Sequence, residues 1–161
     1  MQYWDEVLFP HILATIRGER YLIMTEAQIN EELVNLIKRA IATFKFPNVS
    51  LAYDKEAQAD IEEEPQPDRY YFNSDEVGYR EIDILVAWTK AFWAEMIVSN
   101  ADNFTNLYFD SNIKTFSPGN TLNNYQKMWE SYTKLARELE RDYYRVDTNG
   151  KPTFGSITED E

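Results

Sequence analysis

The stretch REIDILVAWTKAFWAEMIVS, residues 80–99, decides the fold. Ile82, Leu85, Val86, Thr89, Phe92, Trp93, Met96 and Ile97 keep a near-heptad face. That spacing predicts a helix that packs left-handedly on neighbouring helices. Ser74 or Asp75 can cap its start. A second aromatic stretch, SPGNTLNNYQKMWESYTKLARELERDYYR at 117–145, reads the same way. Ser117 is placed as N-cap and Pro118 as the first helical residue. Leu122, Tyr125, Trp129, Tyr132, Leu135, Ala136, Leu139 and Tyr143 then fall on one face. Rings this large on two helices predict packing surface, within the protomer and between protomers.

Working outward, Thr25-Glu26-Ala27-Gln28 is a capping box that opens another helix. Ile29, Leu33, Leu36, Ile37, Ala40, Ile41 and Phe44 line its face, and Pro47 stops it. Upstream, Trp4, Val7, Leu8, Ile12, Leu13 and Ile16 predict a helix interrupted near Pro10, ended by Gly18. The short run Tyr21–Met24 fits either helix or strand. Asn48–Tyr53 reads as extended, as does Arg69–Phe72, and the two can pair as a hairpin. Between them, residues 54–68 form an acidic arm. Glu62-Glu63-Glu64-Pro65-Gln66-Pro67 must be a loop, because two prolines and three like charges resist any regular element. Asn149-Gly150 is a turn. The expected fold class is therefore mainly α: a helical bundle with a short β-hairpin or extended arm between helices and an extended C-terminal tail. Residues 1–150 make one domain, and the acidic tail is 151–161.

Length and composition set bounds. A chain of 161 residues fits one domain and can bury a core without staples. It has no cysteine, which excludes disulfides and thiolate metal sites and suits a reducing compartment. The net charge of −12 argues against a protein that tracks phosphates, and against anionic membrane surfaces. No apolar run approaches membrane-spanning length, and Asp5 and Glu6 stand where a signal peptide wants positive charge. The sequons at Asn48 and Asn103 read as coincidence without a secretory signal. The composition is that of a small acidic helical domain built to touch other proteins.

No motif for catalysis stands out. The sole histidine, His11, lies beside a proline in an apolar stretch and has no nucleophile motif near it. There is no phosphate-cradling glycine loop and no dinucleotide fingerprint. The acidic arm lacks the glycine of a calcium loop, so no cofactor and no metal is expected. Glu81 and Asp83 could be paired acids, but an i, i+2 spacing on a helix puts them on different faces. Along 117–145 the cations Lys127, Lys134, Arg137, Arg141 and Arg145 alternate with Glu130, Glu138, Glu140 and Asp142. This is a solvated or interfacial face rather than a nucleic-acid stripe.

Three stretches carry a resemblance: NLIKRAIATFKFP at 35–47, EIDILVAWTKAFW at 81–93 and FSPGN at 116–120. Together they make up 31 of the 161 residues. They resemble the head-to-tail adaptor ring proteins of tailed bacteriophages, closest to the ring proteins of crAss-like phages of gut bacteria. The motifs are packing patterns, not catalytic signatures. The acidic arm and the N-terminal segment depart from them. The resemblance implies a non-enzymatic structural protein of the virion neck, assembled in the host cytoplasm. It implies a homo-oligomeric ring, usually of twelve copies. The ring would bridge the portal protein to the next tail ring protein. DNA would pass through it during ejection without specific binding. The adaptors' C-terminal tails often reach the portal, which makes Phe154 and Ile157 candidate anchors here. Trp88, Trp129 and Tyr132 are further candidates for partner contact. Glu62, Glu63 and Glu64 are expected to face the channel or the ring exterior.

Two other readings compete. An acidic helical regulator or DNA mimic would display a rigid array of Asp and Glu on helices, yet the densest charges here sit on a Pro-broken loop. An enzyme would need inward-facing acids in a polar pocket.

Overall fold

In the computed structural model, which describes residues 1–16, 24–61, 65–100 and 118–146, the chain is mainly helical with one small sheet. The elements in order are β1 (Gln2–Tyr3), α1 (Trp4–Val7), α2 (Phe9–Leu13), α3 (Glu26–Thr43), β2 (Tyr53–Glu56), β3 (Arg69–Phe72), α4 (Tyr79–Ser99) and α5 (Pro118–Tyr144). Gly18, Ser117, Asn149, Gly150 and most of Tyr21–Met24 lie outside the described residues.

Helix α4 is the centre of the molecule. From Ile84 to Ala94 it is buried nearly all round, with Leu85 and Ala94 at 0% exposure. The heptad stripe read from the sequence was too narrow. Ile84, Ala87, Trp88 and Ala91 are buried as well, because α3 and α5 both pack on α4. Thr89, fully buried, satisfies its hydroxyl by donating to the Leu85 carbonyl at 2.7 Å.

Helix α3 starts as expected. The Gln28 N–H donates to Thr25 Oγ1 at 3.3 Å, and the Gln28 side-chain oxygen accepts from the Thr25 N–H at 2.9 Å. Its buried face is Leu33, Val34, Leu36, Ile37 and Ala40, and the chain turns extended at Phe44, ahead of Pro47. The start of α4 differs from expectation. Ser74 instead accepts from the Glu76 N–H in a local turn, and the helix begins after Gly78. There Glu81 Oε2 accepts from the Gly78 N–H at 3.0 Å. A Cβ on residue 78 would stand 3.2 Å from that oxygen, so the close approach favours glycine.

The N-terminal helix breaks at Leu8, two residues before Pro10. Pro10 lies in the first turn of α2, where a missing N–H costs nothing. His11 is exposed. The hairpin exists, but its first strand is Tyr53–Glu56 rather than residues 48–53. The earlier segment is held elsewhere: Leu51 is buried, and the Asn48 N–H donates to Tyr143 at the end of α5. β1 adds a third strand, antiparallel to β3, so the order is β1-β3-β2.

An aromatic knot ties this sheet to α1. Trp4 is 1% exposed. Its ring stacks on Tyr70 at 5.2 Å and meets Tyr53 and Phe72 at 4.9 and 5.7 Å. Outside the knot, Arg69 donates to Asp5 at 2.8 Å and to Glu6 at 2.9 Å, and lies over the Tyr3 ring.

Core and surface rings should respond very differently to truncation. Trp93→Ala, at 1% exposure, should destabilise the chain by about 3–5 kcal/mol. Phe46→Ala, at 71% exposure, should change stability by less than about 0.5 kcal/mol. Urea unfolding followed by tyrosine and tryptophan fluorescence reads both.

Candidate interaction surface

Helix α5 presents three strips. Tyr125, Met128, Trp129, Tyr132, Ala136, Leu139 and Tyr143 pack against the core, with Ala136 and Tyr143 wholly inside. Leu122 and Leu135 are on the expected face but remain 37% and 45% exposed. They sit at the two margins of that face.

The orientation of α5 is set at its C-terminal end. Tyr143 Oη donates to the buried carboxylate of Glu81 at 2.6 Å and accepts from the Asn48 N–H at 2.8 Å. Arg80 donates to the Tyr143 carbonyl at 3.0 Å, with its guanidinium 4.7 Å from the ring centre. Phe44 meets the same ring edge-on at 5.2 Å. Three separate parts of the chain therefore converge on one tyrosine. Burial, and then the Glu81 carboxylate, push the Tyr143 phenol up to about 12. Glu81 is thus committed to a structural bond, while Asp83 is exposed, and the two acids do not converge.

The third strip is a groove of about 480 Å³. Trp129, Thr133, Arg137 and Arg141 recur along it at every fourth residue, flanked by Glu130, Lys134 and Glu138. Trp129 and Thr133 are half-buried and form the floor; the charged tips are exposed. Thr133 Oγ1 is buried without a hydrogen-bond partner. Lys134 faces Glu138 at 3.9 Å, and Arg141 faces Asp142 at 3.7 Å. Arg137 has no ion-pair partner among the described residues.

The contact residues expected from sequence fall in different places. Trp129 lies in the groove, and Tyr132 is half-buried on the core side of the same helix, where burial raises its phenol pKa. Trp88 is 8% exposed and stacked on Phe92 at 5.5 Å, so its ring belongs to the core. Phe154, Ile157, Glu62, Glu63 and Glu64 lie outside the described residues. Sequence reading passed over Arg137 and Arg141 as part of a mixed face. Their four-residue spacing from Trp129 was the available signal.

Among the described residues no three acidic or histidine side chains converge as metal ligands, and no helix is long and apolar enough to cross a membrane. The fold is thus a helical bundle carrying a small antiparallel sheet, with a charged, Trp-floored groove on its last helix. No protein-family model, curated protein or solved structure matches the chain.

Tyr143→Phe should cost about 1–3 kcal/mol, since it leaves a buried carboxylate and a backbone N–H without their partner. The wild-type phenol is held protonated more firmly folded than unfolded. Its contribution is therefore complete below pH 10 and is lost as pH rises toward 12. Alkaline unfolding of wild type should accordingly be steeper over that interval than that of Y143F. Equal slopes, together with an unchanged tyrosinate titration, would remove Tyr143 from this role.

Proposed function

We propose that the chain is a structural subunit of a head-to-tail adaptor ring, joining a portal to the tail of a bacteriophage around the DNA channel. One observation carries this reading: the subunit has two unlike surfaces suited to each other. One is the α5 groove, with a tryptophan floor and cations Lys134, Arg137 and Arg141. The other is the arm between β2 and β3, which is acidic and exposes Asp60 and Ile61. A closed ring needs such a pair, because each copy offers a different face to the neighbour on either side. The resemblance of residues 35–47 and 81–93 to adaptor rings supports the same reading. So does the net charge of −12, which keeps a DNA channel from adhering to its cargo. In α5 cations interleave with acids, which suits docking between subunits better than mimicry of DNA.

The native mass of the chain, measured alone and with a crAss-like portal ring, tests this. Assembly of many copies on the portal is expected. A chain that stays monomeric with and without the portal sinks the adaptor reading.

A further inference from the structure

We infer that the α5 groove receives the acidic hairpin arm of a second copy of this chain, so that Ile61 of one subunit seats on Trp129 of the next. This rests on the ring reading above and specifies the joint that reading requires.

The groove lacks what the arm has. Its floor is the half-buried Trp129 ring. Arg137 has no counter-ion among the described residues of a chain with 28 acids and 16 Lys and Arg. Lys134 and Arg141 reach their acids only at 3.9 and 3.7 Å, so both retain donors for a further carboxylate.

The arm lacks what the groove has. Residues 54–68 hold seven acids and a single lysine. That lysine, Lys55, is spent on Asp68 across the hairpin. Ile61 is 62% exposed, a branched apolar side chain left in water directly before Glu62-Glu63-Glu64. Since Ile61 is uncovered in its own subunit, the occupied groove is a neighbour's. An apolar anchor followed by acids matches a tryptophan followed along the helix by cations. The contact is head-to-tail: the arm of each copy meets the groove of the next, and the same joint repeats.

The absence of cysteine makes a direct test simple. Asp60→Cys and Glu130→Cys, each made alone, are mixed at equal concentration under mild oxidation. A disulfide-linked pair should form well above the yield from Asp60→Cys with Thr15→Cys, an exposed position in the turn after α2. The double variant D60C/E130C should give a ladder of linked chains. Reversing Lys134, Arg137 and Arg141 to Glu should lower the linked fraction about tenfold, the loss that follows from about 1.4 kcal/mol. Adding Glu62, Glu63 and Glu64→Lys to that variant should restore it. Far-ultraviolet circular dichroism confirms that these surface variants fold. Links confined within one chain, or yields no higher than the Thr15 control, overturn the inference. The two readings fail separately. Assembly on a portal without the 60–130 link keeps the ring and discards this joint. A link that forms freely while no portal-dependent assembly occurs keeps the joint and discards the adaptor role.

Discussion

The molecule is organised by the burial of α4. A helix covered on most of its circumference must be flanked by partners, and α3 and α5 both pack on it. Each of these is amphipathic, so packing of its apolar face on α4 supplies most of what holds it in place. The remaining pieces are positioned with respect to that three-helix core. α2 touches α4, α1 touches α2, and the sheet is tied to α1 by Trp4.

A second constraint sits at one end of the core. Tyr143 joins the start of α4, the end of α5 and the strand-like segment that follows α3. One is buried and charge-assisted and two are part-buried, and together they leave α5 little freedom to roll about its axis. The orientation matters because α5 carries the groove. A small roll would bury Arg137 or expose Trp129. The Glu81–Tyr143 pair is thus a structural bond with a consequence at the surface, although neither residue reaches that surface.

Charge divides the molecule by role. Acids are spread over the chain and are densest between β2 and β3, while the groove gathers three cations along a single helix. A protein with this net charge repels copies of itself at long range. Association then depends on short-range pairing at one spot, which gives specificity of register more than raw affinity.

Much of the architecture was legible from spacing and capping alone. The helices at 26–43, 79–99 and 118–144, the Thr25 box and a hairpin ending at Phe72 all follow from local pattern, since periodicity and caps are properties of neighbours in sequence. What failed locally was decided by distant partners. Residues 48–51 alternate like a strand, but Tyr143 takes the Asn48 N–H and the ladder starts at Tyr53. The pair β1–β3 joins residues some seventy positions apart, beyond any window of periodicity. Trp88 reads as readily for a surface anchor as for core, and only the packing of α5 against α4 buries it. The groove lies between these cases. Its residue types and four-residue rhythm are written in the chain. Which of them stay in water was settled by the roll of α5, and that roll is a tertiary property because it depends on one tyrosine meeting a carboxylate sixty-two residues away.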